Sequence, residues 1–236
     1  MSRDIYPSLS GATAAWRQME VVANNVSNAD TAGFKAQRLR FENVLMDPGL
    51  LGNGYVQADH SVQDFRDGSL VHDDVPTHMA LRGPGFFAVE SNQGELLQRA
   101  GSFLLDNQGF LVNAEGEKVL GQSGPIQIPD GMGTLTVSTD GVVSVDGEEL
   151  DRLRIVAADN PEPLGGTKWR APGGARVLEP QNVSVVQGAL ESSNLDPMRA
   201  MTDLVQTSRY FEMYQKAMQT SHEMDGRGLQ VAEKQA

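Results

Sequence analysis

Residues 5–33 read IYPSLSGATAAWRQMEVVANNVSNADTAG, and this stretch decides the architecture. Ile5, Leu9, Ala12, Trp16, Met19, Val22 and Val26 recur at steps of three and four, which lays one apolar stripe along a helix. Ser8 or Ser10 stands where a cap would start it. Asn28-Ala29-Asp30-Thr31-Ala32-Gly33 is turn chemistry, so the helix is expected to stop near Asn28. About 20 helical residues span roughly 30 Å. The stripe suits a helix packed on its own domain. It equally suits a coiled-coil helix whose partner lies elsewhere in the chain or on another subunit.

The other end of the chain answers it. Asn194-Leu195-Asp196-Pro197 reads as a helix start, with Asp196 as N-cap and Pro197 in the first helical position. Met201, Leu204, Ser208, Phe211, Tyr214, Met218, Ser221 and Met224 follow at steps of three or four, and no Pro or Gly interrupts before Gly226. About 30 residues of helix, roughly 45 Å, is long for a globular domain and fits a coiled coil better. Its many methionines suit an adaptable interface as well as a core. Neither terminal stripe can be buried by its own helix alone.

Composition separates these ends from the middle. Of 25 glycines, only Gly11, Gly33, Gly226 and Gly228 fall in residues 1–40 or 190–236. The net charge of the 236-residue chain is −12, and residues 41–189 alone account for that excess. The middle reads as short strands and turns. Phe86-Phe87-Ala88-Val89 precedes a turn at Asn92-Gln93-Gly94. Phe103-Leu104-Leu105 and Phe110-Leu111-Val112 flank Asp106-Asn107-Gln108-Gly109. Asn113 to Gly116 turns into Lys118-Val119-Leu120, and Ile126-Gln127-Ile128 alternates. Asp140-Gly141 and Asp146-Gly147 are hairpin signals around Val142-Val143-Ser144-Val145. No helical patterns separate these strands, so an antiparallel barrel, sandwich or set of hairpins is expected. Residues 157–176, rich in Pro and Gly, read as a long loop or weakly ordered insertion.

Candidate chemistry is thin. With no Cys there are no disulfides, thiolate metal sites or cysteine nucleophiles. An acidic chain with pI near 4.7 is a poor partner for nucleic acid or anionic lipid. No apolar run approaches the roughly 20 residues that span a bilayer. Met1 to Pro7 has no apolar core, so no cleaved secretory signal is expected. His60, His72 and His78 lie among aspartates, but their spacing matches no metal-ligand pattern. Gly83-Pro84-Gly85 lacks the Lys-Ser/Thr of a phosphate loop. Asp106 to Gly109 lacks EF-hand spacing, and no nucleophile elbow is present. Asn25-Val26-Ser27 and Asn182-Val183-Ser184 fit the glycosylation triplet, which recurs by chance. Asp73-Asp74 and Glu148-Glu149 are adjacent carboxylates on turns, the pattern of a solvated surface. No enzyme, cofactor or metal is expected.

Ala23-Asn24-Asn25-Val26-Ser27-Asn28-Ala29-Asp30-Thr31-Ala32-Gly33-Phe34-Lys35 resembles the N-terminal signature of the bacterial flagellar basal-body rod and hook proteins, with Phe34 where Tyr is commoner. Gln187-Gly188-Ala189-Leu190-Glu191-Ser192-Ser193-Asn194-Leu195-Asp196-Pro197 resembles the segment that leads into that family's C-terminal helix. Arg209-Tyr210-Phe211-Glu212 and Lys216-Ala217-Met218-Gln219-Thr220 are similar to its helix motifs, with Ser208 and the Tyr-Phe pair as departures. Gly83 to Phe87 and Arg99-Ala100-Gly101-Ser102-Phe103 resemble its central motifs. The matches keep the family's order and cover nearly the whole chain. They are most similar to the proximal-rod branch, with the distal-rod branch next.

The resemblance implies an α+β fold: a discontinuous N- and C-terminal α-helical coiled coil plus a central antiparallel, mainly-β domain. Residues 1–40 and 183–236 are the expected axial domain, 41–80 a connector and 81–182 the β domain. Subunits of this family stack into a hollow periplasmic rod that transmits torque and conducts exported subunits, and they leave the cell through the flagellar type III export apparatus without a cleaved signal. Partners implied are copies of the chain and other rod and hook axial subunits, with no nucleic acid and no membrane insertion. The expected subunit interface takes Leu9, Ala12, Trp16, Met19, Val22, Asn24, Asn25, Asn28, Thr31, Gly33, Phe34 and Lys35 from the N-terminal end. From the C-terminal end it takes Asn194, Asp196, Pro197, Met201, Leu204, Arg209, Phe211, Tyr214 and Met218. A periplasmic or surface binding module is the rival reading, and it leaves the apolar stripes at both ends unexplained.

Overall fold

The computed structural model describes residues 5–44, 55–92, 94–129, 133–172, 176–177 and 183–233. Asn182 of the second glycosylation triplet and the side chain of Ile5 lie outside the described residues. The chain divides into two compact units. One comprises Met1–Ser27, Ala36–Asp64 and Asp196–Ala236, the other Asn28–Lys35 and Phe65–Leu195.

The first unit holds α1 (Ile5–Ser27), β1 (Gln37–Val44), β2 (Tyr55–Gln63) and α2 (Pro197–Glu233). α1 is already formed at Ile5, so Ser8 and Ser10 lie inside the helix and do not cap it. It ends at Ser27, where the Asn-rich turn begins. α2 starts as its sequence predicts: Asp196 Oδ1 accepts from the backbone N–H groups of Met198 and Arg199 at 3.1 and 3.2 Å. The helix continues through Gly226 and Gly228, which the sequence reading takes as its stop. A glycine costs a helix interior only about 1 kcal/mol, which a 37-residue element absorbs. β1 and β2 form an antiparallel ladder with a register shift between Leu39 and Phe41. α1 packs against both α2 and this ladder.

The second unit is built from antiparallel strands: β3 (Leu70–His72), β4 (Met79–Arg82), β5 (Phe86–Ser91), β6 (Gly94–Gln98), β7 (Leu104–Leu105), β8 (Leu111–Val112) and β9 (Lys118–Val119). Then come β10 (Leu135–Val137), β11 (Val142–Val145), β12 (Glu148–Arg152), β13 (Ile155–Ala157), β14 (Glu162–Gly165), β15 (Lys168–Arg170), β16 (Arg176–Val177), β17 (Ser184–Gln187) and β18 (Ala189–Glu191). The main sheet runs β14-β15-β6-β5-β9-β8-β7, with β13 pairing both β5 and β16. β10, β11 and β12 make a separate meander, while β17 pairs β4 and β18 pairs β3.

The turn chemistry explains the hairpins. Asp106 Oδ1 accepts from the N–H groups of Gln108 and Phe110, and Asn113 Oδ1 from those of Glu115 and Glu117. Asp146 and Gly147 both have positive φ, the conformation a two-residue hairpin turn needs. Residues 157–172, the described part of the segment expected to be a loop, are not a loose insertion. β14 and β15 form a hairpin on the edge of the main sheet, and Trp169 is fully buried.

β5 is buried on both faces. Phe87 and Val89 point into one core with Met79, Leu81, Phe103, Leu111 and Val185. Phe86 and Ala88 point into another with Leu97, Val156 and Trp169. Four apolar residues in a row are what a strand covered on both sides requires.

Candidate functional site

Two arrangements carry functional weight, one in each unit. In the first unit, small residues let the helices approach. Ala12, Ala14, Ala15 and Val22 are buried on α1. A methyl group at Gly11 would lie 2.5 Å from Tyr214 Cε1, so this position admits no side chain without displacing the ring. The Trp16 and Phe211 rings stand 5.7 Å apart at a tilt of 52°, a favourable aromatic geometry. Trp16 Nε1 donates to Glu20. On α2, Ala200 and Thr207 are buried, and Leu204, Phe211 and Met218 are half-buried. Met19 on α1 is also half-buried.

The same helices leave apolar side chains in solvent. Leu9, Trp16, Met198, Met201, Val205, Met213 and Tyr214 are exposed, Met198 by 75%. Met198, Met201 and Val205 follow at steps of three and four and so form one line. Met201 is therefore not on the face that meets α1, whereas Ala200, Thr207 and the ring of Tyr214 over Gly11 are. Arg209 and Pro197 are exposed, as is Asn24, while Asn28 is half-buried. Asn25 is buried and pairs doubly with the Gln37 backbone: its Nδ2 donates to the carbonyl and its Oδ1 accepts from the N–H, both at 2.8 Å.

In the second unit the two sequence signatures meet at a buried charge cluster. Lys35 Nζ donates to Glu191 Oε1 and to the Arg66 carbonyl, both at 2.7 Å. Glu191 Oε1 also accepts from the Gly68 N–H at 2.7 Å, and Oε2 accepts from Arg99 Nε. The Glu191 carbonyl accepts from the Gly33 N–H at 2.7 Å. Arg99 uses every donor it has. Nη1 reaches the Gly83 and Gly85 carbonyls, and Nη2 reaches the Leu81 carbonyl and Asp67 Oδ1. Lys35, Arg99 and Glu191 are all nearly inaccessible, whereas Asp67 is half exposed. Burial pushes the Lys35 ammonium below its ordinary value, and the Glu191 carboxylate pulls against that shift.

Gly33 is required here. Its φ is +69°, and a Cβ would stand 2.4 Å from the Ala100 nitrogen. Phe34 is buried beside it, Thr31 Oγ1 donates to Asn28 Oδ1 at 3.3 Å, and Asn194 Nδ2 donates to the Arg66 carbonyl. Gly33, Phe34 and Lys35 thus spend their side chains and backbone inside the chain's own β unit. A cavity of about 200 Å³ adjoins the cluster, lined in part by Lys35, Phe65, Pro84, Phe86, Arg99 and Pro161. Among the described residues no group of three His, Asp or Glu side chains is arranged to hold a metal ion, and no helix is long and apolar enough to cross a membrane.

Glu191 is the residue the sequence reading missed. Its signal was present, since it lies inside the C-terminal signature, but a lone glutamate before a helix reads as surface.

Comparison with known proteins agrees with this layout. The family described as "Flagella basal body rod protein" matches residues 5–35. "Flagellar hook protein FlgE/F/G D1 domain" matches residues 80–145, and "Flagellar basal body rod FlgEFG protein C-terminal" matches residues 178–231. Helices at both ends around a central antiparallel region thus define a structural subunit of the flagellar basal-body rod, and the chain belongs to that family. The flagellar basal-body rod protein FlgF of Salmonella typhimurium is 30% identical over 249 residues, covering 98% of each chain. FlgF of Caulobacter vibrioides is 29% identical over 233 residues, covering 95% of each. FlgG of Bacillus subtilis is 26% identical over 255 residues, covering 95% of this chain and 97% of that one. Within the family the chain is FlgF-like, and membership implies assembly with other flagellar axial proteins.

Proposed function

We propose that the chain is a proximal-rod subunit that polymerises through its terminal helices, as a coiled-coil layer, into the hollow axial drive shaft. The observation that carries this reading is α2. It is half-buried along Leu204, Phe211 and Met218, yet it shows a second apolar line at Met198, Met201 and Val205. A helix with one partner is polar on its far side. A helix apolar on two sides is built for two partners, and the second is a neighbouring axial subunit or a copy of the chain. Arg209, exposed and four residues after Val205, continues that line. The rod in this reading crosses the periplasm, transmits torque, conducts exported subunits and receives this chain through the flagellar type III export apparatus. The subunit does no catalysis. Its work is the burial of apolar helix faces and the stiffness that follows.

The test is replacement of the chromosomal gene by one lacking residues 197–236, followed by electron microscopy of basal bodies and cell surface. Loss of hooks and filaments, restored by the full-length gene, is the expected result. Normal filaments would overturn the proposal and bring the binding-module reading forward.

A further inference from the structure

The charge cluster at Glu191 sits where the chain leaves the β unit. The chain passes out of that unit after Lys35, back in at Phe65 and out again after Leu195. Lys35, the Arg66 carbonyl, the Gly68 N–H and Glu191 all belong to the cluster, so each of these passages lies within four residues of it. Lys35 and Glu191 are 156 positions apart in sequence, and Glu191 is 123 from Gly68 and 92 from Arg99. One buried carboxylate thus gathers four distant segments. None of its members belongs to either apolar core. β18, which carries Glu191, pairs only with β3, and that two-stranded ladder is separate from the main sheet.

We propose that Glu191 is a latch: its carboxylate closes the segments 33–35, 66–68 and 189–192 onto a core that folds without them, and they open together when it is lost. The charge count supports this. Lys35 and Arg99 bring two buried cations to a single buried carboxylate, and among the described residues the one further carboxylate paired with them is Asp67, half exposed, at 3.1 Å from Arg99. Without Glu191 the two cations share a dry site, and separating the segments so that water enters relieves them. The adjoining cavity, lined by Lys35 and Arg99 among others, gives water a short way to the two cations once the segments part. The latch also means that the β unit closes only after the chain is present through residue 191.

Hydrogen exchange on the full-length chain tests this with E191Q and K35M. The E191Q variant keeps shape but removes the charge, and K35M leaves the Glu191–Arg99 pair in place. The amides of Gly33 and Gly68, which bond to Glu191, and of Ser192, which bonds to the Ser69 carbonyl, should exchange at least tenfold faster in E191Q and by a smaller factor in K35M. The amides of Ala88, Leu120 and Ile126, bonded inside the main sheet region, should keep their wild-type rates in both. Equal acceleration of both sets, unchanged protection of the first set, or loss of all folded signal in E191Q would each overturn the proposal.

Discussion

The helical unit and the β unit solve burial in opposite ways. In the β unit Phe87, Phe103, Leu111 and Val119 are fully enclosed by the chain's own strands. In the helical unit several large apolar residues, among them Trp16, Met198, Met201 and Met213, stand in solvent. A chain that spends its apolar area internally in one part and leaves it open in another has divided its labour. One unit is a finished object, and the other is half of an interface.

The contrast can be broken most forcefully at the β core. Phe87→Ala removes a ring that packs edge-on against Phe103 at 5.2 Å. It should destabilise the chain by about 3–5 kcal/mol in urea unfolding. A loss under about 1 kcal/mol would mean that this core is not the stabilising centre.

Acid should act on the β unit next. Burial raises the Glu117 carboxyl, but hydrogen bonds from Lys168 and Asn113 outweigh it and hold it below the usual range. Asp73 is lowered by its hydrogen bond with His78 and by the Val75 N–H. A carboxyl held lower when folded than when unfolded contributes stability above its unfolded value, near 4.5 for Glu117 and 3.8 for Asp73, and that contribution is lost as pH falls through the folded value. Melting curves from pH 6 down to 3 should therefore show a falling Tm, and the fall should be shallower in E117Q. Parallel curves would remove Glu117 from the account.

The smallest effect on the monomer should come from the exposed line on α2. Met201→Asp with Val205→Asp should change monomer stability by no more than about 0.5 kcal/mol per site. The same pair should abolish rod assembly in cells, because each aspartate then has to be desolvated in the new interface. A strongly destabilised monomer would show that this line is internal after all.

Much of this was legible because it is local. Asp106 and Asn113 fix hairpins with bonds that reach only two to four residues, and the Asp146-Gly147 pair does so through its positive φ angles. Asp196 caps its own helix in the same way. What was not legible depends on sequence-distant partners. Lys35 reads as an interface residue and Glu191 only as one letter of a signature until the fold brings them to 2.7 Å. The inward face of α2 carries Ala200 and Thr207, small or polar residues that a hydrophobic stripe passes over, so Met201 was counted on the stripe in their place. Residues 157–176 read as loose because Pro and Gly outnumber strand formers there, and Trp169 alone supplies the burial.

Asn25 has a consequence of another kind. Its carboxamide presents a donor and an acceptor at the spacing of a peptide group, and Gln37 answers as a strand would, its carbonyl accepting and its N–H donating. The helix thereby lends β1 a unit of backbone that the chain does not contain, at a point where helix hydrogen bonds, all directed along its own axis, have nothing to give sideways. The recognition is a matter of a single atom. Aspartate, equal in size, has an oxygen in place of the donor nitrogen, and so it is a forgery that the Gln37 carbonyl refuses.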